Sequence, residues 1–281
     1  SGSAGFAVIL RDKSYLFVDG RYTLQAKIES GNKFKITKLK PVFILNKIKK
    51  EISLGYDPKL LTENTLKKNF ESKNINLISI DKNLIDIIWK KKPKQTYKKF
   101  YTLISKNVGQ DYKAKISKIS NFLKKKKIKN LLITAPENIS WLLNIRGYDL
   151  KYSPITNCHA ILNNKRKVIL IVNKKKISNF FINNFGKTVN YINPENSLDY
   201  LNTLNKKETF FIDNNTCSIF YKNAISSNFK YYKIIDPIFF LKAKKNKTEI
   251  KNMINAHIED GAALTKFLYW IKTKKKLNLT E

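Results

Sequence analysis

Few residues of this 281-residue sequence stand at spacings that could support chemistry. Of its 55 Lys and Arg residues only four are Arg; Arg11, next to Asp12, and Arg166 fall in predicted hairpin turns, whereas Arg146 precedes Asp149 by three residues in ISWLLNIRGYDLKYSP and Arg21 follows Asp19 by two in DGRY. A guanidinium group carries a planar fork of N–H donors, which binds a carboxylate or several carbonyl oxygens in a way that lysine cannot. We therefore expect both pairs to mark sites that need such a fork.

The histidines and cysteines give little support for a metal site. His257 stands before Glu259 and Asp260, but its nearest helical neighbour is Asp260 at i+3, and no His-x-x-x-His pair accompanies it. A metal site needs several convergent ligands, so helix packing and capping is the favoured interpretation. Cys158 adjoins His159 on a predicted strand, where neighbouring side chains point to opposite faces. We predict no metal ligand and no catalytic residue on this chain.

Composition limits the class of protein. With 42% hydrophobic residues, the chain is long enough for two domains and part of a third. Its formal net charge of +34 suits a polyanion partner, but the lysines occur in every segment, and arginine, the better fork for phosphates and base edges, is scarce. A Lys/Asn-rich coding bias is the favoured explanation, with salt-sensitive polyanion binding as the alternative. No specific nucleic-acid partner is predicted.

The sequence also predicts a compartment. No apolar run approaches the ~18 residues of a membrane span, and no signal peptide is visible, so no membrane partner is predicted. Cys158 and Cys217 lie in apolar, strand-like contexts without a CxxC spacing. A reduced, cytoplasmic environment and structural roles for both cysteines are the favoured interpretation.

An internal repeat organises the chain. GFAVILRDKSYLFVDGRYTLQAKIES and CHAILNNKRKVILIVNKKKISNFFIN share one layout: an apolar strand, a charged turn, a second strand and a helix-like segment. Further on, Asp57 and Asp213 each end an apolar strand. The next predicted strand in each copy ends in an Ile-Asp pair, with the aspartate at Asp81 or Asp236. We therefore expect two copies of an α/β unit of about 150 residues, a period typical of duplicated domains.

The second copy has a front part that the first lacks. DYKAKISKISNFLKK predicts an amphipathic helix, IKNLLITA a buried strand, and PENISWLLN a short helix that begins with proline. By this comparison roughly 40 residues before Ser1 are expected to be missing. We expect an N-terminally truncated first domain at 1–95, a second domain at 96–242 and the start of a third at 243–281, with KKKPKQTYKK as a linker.

A long amphipathic helix opens the expected third domain. Asn246 and Glu249 stand three apart, which predicts a capping box. The tryptophans of the chain lie in apolar helical runs, and we predict that all three are core residues: Trp89, Trp141 and Trp270.

Taken in order, these segments resemble the three-domain Xaa-Pro aminopeptidases of the creatinase/prolidase, or pita-bread, superfamily of metallopeptidases. The resemblance rests on GFAVIL…LFVDGRYTLQA, GYDP, NLIDIIW, ISWLLNIRG, SPITNCHAIL and KAKKNKTEI…AHIEDGAAL…FLYWI. Each motif alone is modest, and their ordered occurrence over nearly the whole chain is what identifies the family. It implies an α/β fold: two tandem creatinase N-terminal-type domains with mixed sheets, followed by the first helix of a truncated pita-bread catalytic domain.

The resemblance also implies a function for the longer protein. In that family a third domain holds two divalent metals, usually manganese, and a bridging water attacks the bond before proline. The implied substrates are short proline-containing peptides and the implied assembly is a homodimer. Because this chain ends after the first helix of that domain, no metal or other cofactor is expected on it, and it is expected to be inactive alone. Its expected role is to restrict substrate entry and to support the catalytic domain.

Two alternatives stay open at this point. Arg146 either faces the cleft between the second and third domains and shapes the substrate entrance, or it locks its own loop by bonding Asp149 or loop carbonyls. The second interpretation is favoured, because buried guanidinium groups usually have such partners, and a structural role is favoured more strongly for Asp19 and Arg21. The whole chain could instead be a non-catalytic peptide- or protein-binding module in a peptidase-derived fold.

Overall fold

The computed structural model describes residues 5–38, 40–93 and 96–274, which form two compact units. Unit 1 takes the described residues of Ser1–Gln95 together with Asn214–Ser227, and unit 2 takes those of Thr96–Asp213 and Asn228–Glu281. Two residues of the predicted linker, Lys94 and Gln95, lie outside the described residues.

Unit 1 begins with a strand hairpin and continues as alternating helices and strands. The turn of the hairpin is closed by a hydrogen bond from the Leu10 amide to the Lys13 carbonyl (2.9 Å). The strands form a three-stranded sheet β1-β2-β3, in which β3 is parallel to β2, and a parallel pair β4-β5. The elements are β1 Gly5–Ile9, β2 Ser14–Val18, α1 Thr23–Ser30, β3 Lys35–Thr37, α2 Pro41–Leu45, β4 Ile52–Tyr56, α3 Glu63–Phe70, β5 Ile75–Ser79 and α4 Leu84–Ile88.

Unit 2 is built around a six-stranded mixed sheet with the order β11-β10-β9-β7-β12-β13. Strand β9 runs antiparallel to both of its neighbours, and the other adjacent pairs are parallel. Of the elements that follow α4 along the chain, α10 lies in unit 1 and the others lie in unit 2. They are β6 Tyr101–Thr102, α5 Ser105–Val108, α6 Tyr112–Lys125, β7 Asn130–Ile133, α7 Pro136–Leu143, β8 Ile145–Arg146, β9 His159–Asn163, β10 Val168–Ile171, α8 Asn179–Phe185, β11 Val189–Ile192, α9 Ser197–Thr203, β12 Thr209–Ile212, α10 Ile219–Ser226, β13 Lys230–Lys233, α11 Pro237–Ala243 and α12 Lys247–Thr273.

The predicted repeat is confirmed by strand pairing. The series β1-β2-α1-β3 corresponds to β9-β10-α8-β11, because each has an antiparallel hairpin followed by a parallel third strand. The series β4-α3-β5-α4 corresponds to β12-α10-β13-α11, and in both the two strands are parallel. In unit 2, β7 lies between β9 and β12 and joins the two halves into one sheet, whereas the described residues of unit 1 form two separate sheets.

Each unit has its own apolar core. That of unit 1 includes Val8, Phe17, Phe70 and Ile219, the last supplied by α10. The core of unit 2 lies on both faces of β7, whose four residues are all buried. The apolar positions of α6 fall at helical spacing and point into this core: Ile116, Ile119 and Leu123 are each at most 1% exposed.

Helix α12 begins as predicted and packs differently from the prediction. The Asn246 side chain accepts from the Glu249 amide, and the Glu249 carboxylate accepts from the Asn246 amide, so the capping box is confirmed. No residue of α12 is buried. The prediction that all three tryptophans are core residues is therefore wrong for Trp270 (40% exposed) and also for Trp89 in unit 1 (49%), whereas Trp141 packs against the core of unit 2. The described helices include none with the length and apolar character that crossing a membrane requires.

Candidate functional site around Arg146 and Lys115

Arg146 lies at a junction that the local sequence builds. Helix α7 spans Pro136–Leu143 and is followed by Asn144, which adopts a left-handed conformation (φ 53°) that asparagine tolerates better than most residues. The chain then forms the short strand β8, where Arg146 pairs with Tyr101 of β6. The turn at the helix end therefore fixes the position of the arginine against the core.

The guanidinium group of Arg146 binds main-chain oxygens. Its Nη1 donates to the carbonyl of Ile145 (2.8 Å) and to that of Ser140 (3.1 Å). Partial burial lowers the pKa of Arg146, opposed by Tyr101 and Glu249. These bonds close the end of α7 onto β8, and both are donated by one guanidinium nitrogen, Nη1.

Asp149, the expected partner of Arg146, is bound by a different cation. Its Oδ2 accepts from the Lys176 ammonium (2.6 Å), the Asn157 amide (2.6 Å) and the Thr156 hydroxyl (3.1 Å). The side chains of Lys176 and Asp149 are 4% and 15% exposed. This pair ties the β8–β9 loop to the segment before α8. Sequence reasoning did not find Lys176, because a lysine in a run of three gives no local signal of burial.

Gly147, which follows Arg146 in the chain, lies against Thr156. A Cβ at this position would stand 2.7 Å from Thr156 Cβ and 3.1 Å from its Cα, and Thr156 is fully buried. The glycine of the NIRG segment is therefore required by the close approach of two chain segments.

Lys115 is a second buried cation that the sequence analysis did not identify. It is 1% exposed, and its Nζ donates to the Asn144 side-chain oxygen (2.6 Å) and to the Trp141 carbonyl (2.9 Å). The ammonium also lies 4.2 Å from the centroid of the Trp141 ring, within the range of a cation–π interaction. Burial lowers the pKa of Lys115 to about 8, a shift that Glu249 partly opposes. One signal was present: Lys115 stands three residues after Tyr112 and four before Ile119, on the apolar face of α6.

Glu249 connects this cluster to α12. Its Oε1 accepts from the Trp141 indole nitrogen (3.3 Å), while its Oε2 completes the capping box. The start of α12 is held further by bonds from Asn246 to the Val108 carbonyl (2.8 Å) and from Asn252 to the Asn107 carbonyl (2.7 Å). The first turns of α12 are therefore joined to the same part of unit 2 that holds Lys115 and Arg146.

The second predicted pair, Asp19 and Arg21, lies in unit 1. Arg21 Nε donates to Asp19 Oδ1 (2.9 Å), and the Arg21 amide donates to the same oxygen (3.0 Å), which caps a short helical turn. Hydrogen bonding to Arg21 lowers the pKa of Asp19. Both side chains are exposed, and Asp19 and Arg21 lie in unit 1, whereas Arg146 and Asp149 belong to unit 2.

The described side chains of the types that bind metal ions do not cluster. His257 is exposed on α12, with its Nδ1 2.9 Å from the Met253 carbonyl. His159 is held in β9, where burial lowers its pKa to about 4, and burial raises the pKa of Cys158 to about 12. Among the described residues, no three His, Cys, Asp or Glu side chains come together as metal ligands. The donor set of this part of the chain therefore does not fit a two-metal centre.

Known proteins resemble this chain over almost its whole length. A family model described as the creatinase/prolidase N-terminal domain matches residues 91–249. A probable Xaa-Pro aminopeptidase P of Laccaria bicolor is 31% identical over 288 residues, covering 96% of this chain and 44% of that protein. Xaa-Pro aminopeptidase 1 of Dictyostelium discoideum is 31% identical over 293 residues, covering 97% and 46%.

A solved structure agrees with the fold. The X-prolyl aminopeptidase of Caenorhabditis elegans, described as a cytosolic enzyme with a di-nuclear active site, superposes with a TM-score of 0.85 and 25% identity over 97% of this chain and 47% of that enzyme. The mixed α/β architecture is thus that of creatinase/prolidase N-terminal domains, as the sequence predicts. The chain belongs to the creatinase/prolidase family of pita-bread proteins, and it spans about half the length of the curated relatives it matches, which are Xaa-Pro aminopeptidases.

Proposed function

We propose that this chain is the non-catalytic N-terminal part of a metal-dependent Xaa-Pro aminopeptidase, which removes the residue before proline from the N-terminus of short peptides. The observation that carries the proposal is the likeness to the C. elegans enzyme, which extends over 97% of this chain at a TM-score of 0.85. The Laccaria and Dictyostelium relatives, which cover the chain equally well, support the same activity.

The proposal assigns catalysis to a further part of the polypeptide. It divides the chain at 1–95, 96–242 and 243–281, with the last segment as the start of the catalytic domain. The two divalent metals, manganese by the family resemblance, belong to that domain, since the described residues here do not supply a ligand set. Cytoplasmic location, a homodimer and the absence of nucleic-acid and membrane partners belong to the same proposal.

The role proposed for this part is to restrict substrate entry and to carry the catalytic domain. Helix α12 supports the second role: it is fixed to unit 2 through Asn246 and Asn252, yet Ile254, Ile258 and Leu264 are more than half exposed along it. Exposed apolar side chains on an anchored helix are typical of a surface that another part of the protein covers. Arg146, which interacts electrostatically with Glu249 in the first turn of that helix, is the candidate for shaping the entrance.

The first experiment is to read the coding sequence beyond Glu281 and to assay its product. The proposal expects two Asp, one His and two Glu as ligands, and hydrolysis of an Xaa-Pro tripeptide that a chelator abolishes and manganese restores. The 281-residue chain alone serves as the control and should be inactive. A coding sequence without those ligands would overturn the proposal and favour a binding module in a peptidase-derived fold.

The proposed restriction of substrate entry, or gating, can be tested separately by varying peptide length. In the active longer protein, kcat/KM should fall steeply as Xaa-Pro peptides lengthen from three to about ten residues, if bulky substrates are excluded sterically. A kcat/KM that is independent of peptide length would remove the gating role and leave the support role.

A further inference from the structure

Helix α12 is attached to unit 2 through its first turns. The Asn246 side chain donates to the carbonyl of Val108, the last residue of α5 (2.8 Å). Gly109, the next residue, lies so close that a Cβ there would stand 2.8 Å from Thr248 Cβ. Its left-handed backbone (φ 72°) also favours glycine. The end of α5 and the start of α12 therefore pack without room for a side chain between them.

A further attachment of α12 is electrostatic and passes through Trp141 of α7. Glu249, in the first turn of α12, accepts from the indole nitrogen of Trp141 (3.3 Å). The Lys115 ammonium lies 4.2 Å from the centroid of the same ring and donates to the Trp141 carbonyl (2.9 Å). One tryptophan thus contacts both a cation of α6 and an anion of α12.

A tryptophan held in this way transmits charge from one partner to the other. A cation over the ring attracts the ring electrons, and polar groups in contact inside a protein polarise one another. The indole N–H of Trp141 is therefore a stronger donor to Glu249 while Lys115 is protonated. Lys115 and Glu249 also attract each other directly. Both effects strengthen the attachment of α12, and both depend on the charge of Lys115.

Charged groups from neighbouring elements decide when that charge is present. Burial lowers the pKa of Lys115 to about 8, opposed by Glu249 of α12. Arg146 of β8 and Lys118 of α6 lower this pKa further, and Asp111, the N-cap residue of α6, raises it. Among these charged groups Glu249 alone belongs to α12, so a change in the charge of Lys115 reaches that helix through Glu249.

We propose that Lys115 controls how firmly α12 is attached to unit 2, acting through Trp141 on Glu249. The protonated lysine holds the start of α12 against α5 and α7. The neutral lysine weakens the contact between Trp141 and Glu249, while the bond of Asn246 to α5 remains. Lys115 is thus a positioning residue for α12. The inference goes beyond the proposed activity and does not depend on it, because all of these groups lie on this chain.

The test follows the start of α12 separately from the rest of unit 2 as the pH rises through 8. In ¹H–¹⁵N spectra of the 281-residue chain, the indole resonance of Trp141 should shift as Lys115 loses its proton, and that of Trp89 should not. Amide exchange at Glu249 and Ile250, corrected for the intrinsic rate, should become ~5-fold faster, as expected for the loss of one cation–π contact.

The stability of unit 2 should change in the opposite direction over this range. It should rise, because the unfolded chain still binds the proton that the folded chain has released from Lys115. A lysine that only supported the fold would make the exchange at the start of α12 and the stability of unit 2 follow each other. The opposite signs therefore distinguish control of α12 from a purely structural role.

Matched variants separate charge from packing. Lys115→Met removes the charge at every pH, so exchange at the start of α12 should be ~5-fold faster at neutral pH and should no longer depend on the charge of residue 115. Glu249→Gln keeps an oxygen for the Trp141 indole but carries no charge, and should also remove the pH dependence. The exposed controls Lys124→Met on α6 and Glu259→Gln on α12 should behave as the parent chain does. Glu249→Gln serves as the readout should Lys115→Met fail to fold.

Three results would overturn the proposal. One is exchange at the start of α12 that slows as the pH rises, together with the rise in stability of unit 2. Another is an unchanged pH dependence of that exchange in Glu249→Gln. The third concerns reciprocity: if the charge of Lys115 strengthens the contact of Glu249, then Glu249→Gln must move the titration of the Trp141 indole resonance to lower pH. A titration at the parent pH would show that the two residues are not coupled.

Discussion

The ammonium nitrogen of Lys115 lies 2.6 Å from the side-chain oxygen of Asn144, the residue whose left-handed conformation ends helix α7. The same asparagine donates through Nδ2 to the Gln110 carbonyl (2.9 Å). One buried cation and one turn residue therefore connect α6, α7 and the chain before α6. Arg146, two residues further along, receives its position from this arrangement.

Removing the buried ammonium should change how stability depends on pH. The pKa of Lys115 is lowered from 10.5 to about 8, so between these values the unfolded chain binds more protons and stability rises with pH. Relative to Lys115→Met, the parent should gain up to ~1.4 kcal/mol per pH unit across this window, measured by denaturant unfolding of unit 2. The exposed Lys124→Met on the same helix is the control and should follow the parent. Parallel profiles for the parent and Lys115→Met would contradict the prediction.

His159 should make the protein sensitive to acid. Burial lowers its pKa from 6.5 to about 4, so the folded state resists a proton that the unfolded state accepts. Stability should therefore fall as the pH drops from 6.5 to 4, by ~3 kcal/mol more in the parent than in His159→Gln. Thermal or denaturant unfolding across this range measures the difference. His257→Gln, at the exposed histidine, should retain the acid sensitivity of the parent. If His257→Gln loses that sensitivity, the effect does not come from His159.

Substitutions at Asp149 and Lys176 should have strongly non-additive effects on the free energy of unfolding. Asp149→Asn and Lys176→Met should each cost ~3 kcal/mol, because either change leaves a buried charge or acceptor without its partner, and the double variant should cost much less than the sum. The exposed pair Asp86 and Lys92 has the same N···O distance of 2.6 Å and is the control, with a coupling below ~1 kcal/mol. Additive costs at the buried pair would show that the contact does not hold the loop.

A methyl group at Gly147 should destabilise unit 2. Gly147→Ala places Cβ within 2.7 Å of Thr156, which is fully buried and cannot move aside, so a cost of ~2 kcal/mol is expected. Gly261→Ala on α12, where no atom lies within 4 Å of the new Cβ, should instead raise the free energy of unfolding by ~1 kcal/mol through helix propensity. Equal effects at the two glycines would mean that close approach is not the reason for Gly147.

Arg146→Lys distinguishes the two interpretations of this arginine. The loop-locking role predicts a loss of ~1–2 kcal/mol with kcat/KM of the longer protein unchanged, because the ammonium of lysine is more strongly hydrated than a guanidinium and costs more to hold, partly buried, at the Ile145 and Ser140 carbonyls. Arg21→Lys, at the exposed pair in unit 1, is the control and should change neither quantity. A lower kcat/KM at unchanged stability would favour the entrance role instead.

Periodicity and turn chemistry determine the repeat, the positions of its strands and the starts of two helices. The repeat was visible because strand and helix patterns recur wherever a duplicated domain must bury the same faces, and the strands that precede Asp57 and Asp213 lie where the pattern indicates. The capping box of α12 and the start of α7 at Pro136 are local effects, set by neighbouring residues, and they could be read from the letters alone.

Tertiary structure decided which polar residues meet. Asp149 stands three residues from Arg146 in the sequence, yet it pairs with Lys176, because the β8–β9 loop folds onto the segment before α8. Lys176 could not be singled out among so many lysines, and Lys115 only by its place on the apolar face of α6, since burial depends on what packs above a residue more than on its neighbours in sequence. The exposure of Trp89 and Trp270 has the same origin. An apolar helical face predicts that other elements pack against it, but only the tertiary structure decides whether the elements of this chain do.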